Sequence, residues 1–487
     1  MSMLTDLNPS IVWKYFSEIL AIPRPSKKEE KIIEYLENFA KNHNLKYKKD
    51  KTGNLLISKQ ATSDMENIKT VVLQSHVDMV CEKNSNSQHN FETDPIIPVI
   101  DGEWIKAKDT TLGADNGIGV AIQLAILASN NIKHGPIECL FTVDEETGLT
   151  GAFALEKDFF EGKFLINLDS EDEGEIFIGC AGGKDTVASI KFEKKKPPRK
   201  QIPLSISVTG LRGGHSGDDI HKGYANAIKL LVRILYHIDQ KYGLKLAYID
   251  GGNLRNAIPR EAFATIYVTH EKVESIKEEV QMFHSIFKDE YKHTEPNINV
   301  EINESEHTEF IIDKRTQPKI LYSLYACPHG VISWSQDMPG LVETSTNLAS
   351  VKIKKSRIEV TTSQRSSVDT AKTDIVNMVS SVFHLIKADV KHSNGYPGWK
   401  PNPKSELLKI AKRAYRKLFD KEVKVKAIHA GLECGLFLEK YPELDMISIG
   451  PTMRGVHSPD EKLHIPSVEK FWKFLLEILK DIPKNNV

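Results

Sequence analysis

Residues 70–82 read TVVLQSHVDMVCE. The unbroken apolar run Val71–Leu73 has the pattern of a strand buried on both faces, as in a parallel sheet. It runs out into His76 and Asp78, which lie two apart and so project to the same side. In open α/β sheets, ligands bind beyond the carboxyl ends of the strands. A His-x-Asp pair alone, however, favours nothing more than a capped strand end.

The surrounding pattern extends the reading. Upstream, NPSIVWKYFSEILAI and SKKEEKIIEYLENFAKNHN place apolar residues at helical spacing, with Ser26 as the expected N-cap of the second helix. Downstream, GADNGIGVAIQLAILAS reads as a turn entering a buried helix, and IECLFTVDEE and FLINLDSEDEG as strands ending in acids. Strands alternating with helices predict an α/β domain with a mostly parallel sheet and helices on both faces.

That pattern breaks at KFEKKKPPRKQ (191–201) and resumes after NGYPGWKPNPKS (394–405), both turn-rich and basic or proline-bearing. Between them, alternating strands and amphipathic helices predict an α+β unit. The expected organisation is a catalytic domain of residues 1–188 and 399–487, interrupted by an inserted domain at 189–398. The insert holds two stretches of similar order, 256–280 and 347–379, each an Asn-led turn, an alternating strand region and an amphipathic helix. Two similar halves are one reading of this, and coincidence among ordinary strand–helix units is the other. After 405 a helix, the strand VKVKAIH, the helix LECGLFLEKY, the strand DMISIG and a last helix from about Val468 complete the α/β domain.

Composition limits the partners. Among 487 residues, 65 Lys+Arg nearly balance 66 Asp+Glu. That balance gives no electrostatic reason to expect nucleic acid or an anionic membrane. Five scattered cysteines without a C-x-x-C pair fit a reducing cytoplasm better than a disulfide framework. The start of the chain shows no secretory pattern, and no apolar run reaches membrane-spanning length.

Further residues at predicted strand ends change the odds for His76. Asp115, in TLGADNGIG, alone would be an ordinary helix cap. Glu145 and Glu146 alone would be a solvated loop pair, and Asp169 closes another apolar strand. His457, in GPTMRGVHSPDEKLHIP, alone would be a solvated loop histidine, with His464 as its competitor. Together they place several carboxylates around one crevice, an arrangement that is unfavourable without cations. The imidazole and carboxylate set suits zinc in open sites, or manganese or cobalt, and is large enough for two ions if one carboxylate bridges.

The motifs SHVDMV, GADNGIG, DEETG, INLDSED and HSPDE, in that order, with GGHSGDDI in the insert, resemble the two-zinc metallopeptidase family of carnosinase, carboxypeptidase G and aminoacylase. NLRNAIPRE and AIHAGLECG point to its Xaa-His dipeptidase branch. The resemblance implies His76 and Asp169 on one metal, Glu146 and His457 on the other, and Asp115 bridging. Asp78 would orient His76, and Glu145 would be the general base. The insert would be a lid whose closure brings His215, to stabilise the oxyanion, and Asn256 and Arg365, to hold substrate. The implied reaction is hydrolysis of small unblocked dipeptides, with N-acyl-amino-acid deacylation or tripeptide cleavage as alternatives. A binding scaffold without catalysis is disfavoured by the intact Glu145. In small-lid relatives the lid histidine comes from a second subunit, so a homodimer is one expectation. A second lid half replacing the partner's is the other.

Overall fold

The computed structural model describes residues 2–485 and divides them into two compact units. Met1, Asn486 and Val487, at the ends of the expected catalytic domain, lie outside the described residues.

The first unit contains residues up to Gly179, Pro401–Ala427 and those from Leu432 onward. Its main sheet has eight strands, in the order 46–49, 55–59, 137–142, 71–76, 164–167, 445–448, 175–180 and 424–428. The four central strands are parallel: Val71–His76 pairs with Ile137–Thr142 on one side and Phe164–Asn167 on the other, and Asp445–Ser448 extends the set. Strands 46–49 and 55–59 run antiparallel at one edge, and 175–180 runs antiparallel to 445–448. All residues of Val71–His76 and Ile137–Thr142 are buried, as expected for strands covered by helices on both faces. The helix Ala114–Ala128 is apolar almost all round, and all its residues but Asp115 and Ala128 are buried. A small antiparallel sheet formed by 98–101, 104–107, 462–464 and 453–454 was not expected from the sequence.

Two local expectations are corrected. The second amphipathic helix begins at Glu30, and Ser26 does not cap it; the Ser26 hydroxyl instead donates to Asp78 Oδ2 at 2.8 Å. The last helix spans Ile465–Lys480, starting earlier than Val468 because Pro466 suits a first helical turn.

The second unit contains Cys180–Lys400 together with Ile428–Gly431. Its strand Gly182–Lys191 runs through position 189, where the sequence had suggested the boundary. The central sheet is antiparallel, in the order 299–304, 201–209, 262–269, 245–251, 342–354, 357–366, 182–191 and 389–392. Two four-strand groups in it share one connectivity. Strand, helix, strand, strand, helix, strand describes 201–209, 227–242, 245–251, 262–269, 273–290 and 299–304. It also describes 182–191, 317–326, 342–354, 357–366, 369–385 and 389–392, apart from an added strand Gly330–Trp334 that pairs with 342–354 as the ninth strand of the sheet. In each group the spatial order is fourth, first, third, second, and the two second strands meet at Gly251 and Val351. One core, including Leu231, Phe283, Leu321 and Val379 from the four helices, covers one face of this sheet. Among the described residues, no helix is long and apolar enough to cross a membrane.

Candidate metal centre

The candidate ligands of the first unit sit where central strands end or a turn enters a helix, except His457, which lies in the turn between strands 453–454 and 462–464 of the small sheet. His76 is the last residue of its strand and is 1 % exposed. Its Nδ1 lies 3.2 Å from Asp78 Oδ1. Its Nε2 lies 3.1 Å from Asp115 Oδ1 and 3.3 Å from Asp169 Oδ1. His457 Nε2 lies 3.2 Å from the other oxygen of Asp115 and 3.0 Å from Glu146 Oε2. Among the described residues, four groups have their ligand atoms within 4.8 Å of one another: the two triads His76–Asp115–Asp169 and Asp115–Glu146–His457, a third of His76, Glu145 and Glu146, and a fourth of Glu29, Asp78 and Asp144. Asp115 belongs to the first two, one oxygen turned to each. His464, the competitor of His457, instead packs against the Trp104 ring at 4.8 Å between centroids.

The electrostatics fit cations. Burial, then the neighbouring carboxylates, hold Glu145 well above the usual carboxylate range. Burial also pushes Asp169 up to about 6 and Glu171 up to about 8, with Asp115 adding to both. Hydrogen bonds to Asp115 and Glu146 push His457 up to about 11. Burial opposes a charge on His76, yet Asp169, Asp115 and Asp78 outweigh it and raise its pKa well above the ordinary value. Glu146 Oε1 is buried with no hydrogen-bond partner among the described residues. A buried carboxylate oxygen without a donor is unfavourable in protein alone and natural beside a metal ion. The donor set of nitrogen and oxygen ligands is one that zinc, manganese or cobalt accepts.

The supporting residues were not singled out by sequence. Arg24, buried after the first long helix, donates to the carbonyls of Val77 at 3.0 Å and Asp78 at 2.8 Å, and to that of Gly113. It thereby ties the turn after His76 to the turn before Asp115. Glu461 accepts from the backbone N–H groups of Leu112, Gly113, Ala114 and Asp115, at 2.7, 2.9, 2.8 and 3.3 Å. These are the free donors at the start of the helix Ala114–Ala128. The motif HSPDE ends on this glutamate, so a signal was present. Asn116 donates to Asp169 Oδ1 at 2.5 Å. Gly119 leaves it room, because a Cβ there would lie 2.1 Å from Asn116 Oδ1. Asp78 accepts from the Glu145 and Glu146 N–H groups at 3.1 and 3.2 Å, so it braces that turn as well as His76.

Beneath the ligands lies a buried polar chain. Glu433 Oε2 accepts from Gln74 Nε2 at 2.7 Å and from the Thr142 hydroxyl at 2.9 Å. Gln74 accepts from Asn167 at 2.6 Å, and Asn167 from Ser448 at 2.5 Å. One residue from each of the four parallel strands is thus linked just below the strand ends.

His215, Asn256 and Arg365 belong to the second unit. His215 is bridged to Ala257, and the Ser216 N–H donates to the Asn256 carbonyl at 2.7 Å, so the first two are neighbours. Arg365 is 7 % exposed, and its Nη1 donates to the Tyr396 hydroxyl at 2.9 Å.

Comparison with known proteins gives the family. Residues 72–481 match the model of Peptidase family M20/M25/M40, and the chain belongs to that family. It is 44 % identical over 483 residues to the cytosol non-specific dipeptidase of Escherichia coli, covering 99 % of this chain and 100 % of the relative. The crystal structure of aminoacylhistidine dipeptidase from Vibrio alginolyticus superposes with a TM-score of 0.93 at 43 % identity, over the whole of both chains. The aminopeptidase PepT of Bacillus cereus, at 17 % identity, shares the fold with a TM-score of 0.58 over 98 % of this chain and 99 % of that one.

Proposed function

We propose that this chain is a metal-dependent dipeptidase that hydrolyses small unblocked dipeptides, Xaa-His among them. The observation that carries the reading is the pair of ligand triads sharing Asp115, in a chain that matches two dipeptidases from end to end. His76 and Asp169 would hold one divalent ion, Glu146 and His457 the second, and Asp115 would bridge them. Zinc is the ion we favour, with manganese or cobalt acceptable to the same donors. Such ions, when bound, lower the pKa of water and polarise a carbonyl.

The chain's own residues do the rest. Asp78 fixes the tautomer and aim of His76 through Nδ1, as partners of metal-ligating histidines do. Glu145, which lies within reach of His76 and Glu146 but outside the two triads that share Asp115, takes the proton of the attacking water and delivers it to the leaving amine. In the second unit, His215 stabilises the developing oxyanion, Asn256 contacts the substrate, and Arg365 holds its C-terminal carboxylate with a planar guanidinium. We place the enzyme in the cytoplasm. Five cysteines without a disulfide, four of them buried, support this, as does the cytosolic relative.

The test is a panel of dipeptides, tripeptides and N-acetyl amino acids, assayed with added zinc, manganese or cobalt and with a chelator. Metal-dependent cleavage of dipeptides above the other classes is expected. Preferential deacylation or tripeptide cleavage would replace the substrate assignment, and chelator-resistant activity would remove the metal assignment.

A further inference from the structure

The face of the antiparallel sheet turned away from its helices carries a group of buried polar atoms that no group among the described residues satisfies. Arg365 lies directly opposite Ser345 in the register of strands 357–366 and 342–354, and Asn347 lies two residues further along the same face. Arg365 Nε, Asn347 Oδ1, His429 Nδ1 and Ser216 Oγ are all buried without hydrogen-bond partners among the described residues. Buried polar groups are ordinarily paired, so four orphans in one neighbourhood need a reason.

They belong together. Asn347 Nδ2 donates to the carbonyls of Arg255 and Ala257 at 3.1 and 2.8 Å, which fixes its amide orientation and leaves Oδ1 as an acceptor. The same loop receives the Ser216 N–H through Asn256. His429 reaches this face on the short segment Ile428–Gly431, and its Nε2 lies 2.7 Å from the Ser345 hydroxyl. Gly217 makes that approach possible, because a Cβ there would sit 2.2 Å from the His429 carbonyl oxygen and 3.1 Å from His215 Cε1.

The imidazole of His429 is neutral at physiological pH. Burial, then the nearby Arg365 guanidinium, push its pKa down to about 3, with His221 adding to the effect and Asp218 and the Val342 carbonyl, an acceptor near the ring, opposing it. A neutral imidazole has one donor nitrogen and one acceptor. When the Ser345 hydroxyl donates to Nε2, the proton resides on Nδ1, the orphaned nitrogen. Two unused donors, Arg365 Nε–H and His429 Nδ1–H, then accompany one unused acceptor, Asn347 Oδ1. The complement is an anion flanked by an N–H, which is what the C-terminal residue of a peptide presents.

We infer that His429, its tautomer set by Ser345, is a substrate-binding residue that shares the C-terminal carboxylate of the dipeptide with Arg365. The inference rests on the dipeptidase reading above. Charge-assisted hydrogen bonds of this kind are worth about 10- to 100-fold in binding. The experiment compares kcat/KM for an Xaa-His dipeptide with that for its C-terminal amide, in metal-loaded wild type, H429A, H429N and S345A. Metal content and thermal midpoint are measured for each.

In H429A the preference for the free carboxylate should shrink by about 10- to 100-fold, mostly through KM for the dipeptide, with metal content unchanged. H429N, whose amide N–H can take the place of Nδ1–H, should recover much of the preference. S345A should lose part of it. If H429A does not fold, the comparison of S345A with H429N still decides the matter. Full wild-type turnover with an unchanged preference in the variants overturns the role of His429 alone. Wild-type protein that cleaves no dipeptide overturns the dipeptidase reading itself.

Discussion

Glu145 and His457 should respond differently to replacement, because one is proposed to move protons and the other to hold metal. Glu145→Ala should keep its metal and lose turnover by about 10²- to 10⁴-fold, the usual contribution of a positioned base. Near-normal turnover with full metal content would sink the base assignment. His457→Ala should lose metal on dialysis, read by elemental analysis. The pH dependence of metal binding follows from the same residues. In the metal-free protein His457, raised to about 11, and His76, also raised, carry protons at neutral pH. A ligand nitrogen must be unprotonated, so binding expels protons and apparent affinity rises with pH. Calorimetric titration in two buffers of different ionisation enthalpy should show proton release; none would contradict the assignment of these histidines as ligands. At this scale the sequence was informative. His76, Asp115, Glu145, Glu146, Asp169 and His457 all follow predicted strands or turns, and alternation by two put His76 and Asp78 on one side. Arg24 was not legible, because a guanidinium acting on backbone carbonyls leaves no residue pattern between its partners.

At the scale of the element, the start of the helix Ala114–Ala128 is held by a side chain from the far end of the chain. Glu461 accepts four backbone N–H groups there and thereby sets the position of Asp115. Glu461→Ala should lower stability by about 1–3 kcal/mol, since buried donors are left unpaired. It should also weaken binding of metal, because Asp115 loses its anchor. A thermal midpoint and a metal affinity both equal to wild type would show that the cap has no such role. Sequence predicted this helix from its apolar run and glycine-flanked turn, and offered only Asp115 as its cap, whereas Glu461 takes the free N–H groups. The Ser26 correction has the same origin. Local propensity offered it as a cap, while the folded protein uses its hydroxyl on Asp78, fifty-two residues away in sequence.

At the scale of the whole molecule, two readings compete: a site completed by a second subunit, and a chain that completes its own. The two groups in the second unit share connectivity and strand order, and join through equivalent strands. We propose that they are two copies of one lid module, the second standing in for a partner's. Turnover should then persist, per chain, at dilutions where sedimentation shows only monomer. Activity that disappears with the dimer would refute this.

The sequence by itself determined the α/β class, the interruption by an α+β insert, and the residue types and order of the candidate metal ligands. Those depend on periodicity and on ligands carried within a few residues of strand ends, which are local properties. The tertiary structure decided which carboxylate faces two histidines at once, and that Arg24 and Glu461 brace the loops. It also decided that Arg365, Asn347 and His429 leave unsatisfied atoms in one place. Each of these depends on contacts between residues far apart in the chain, where burial rather than local pattern sets which polar groups find partners.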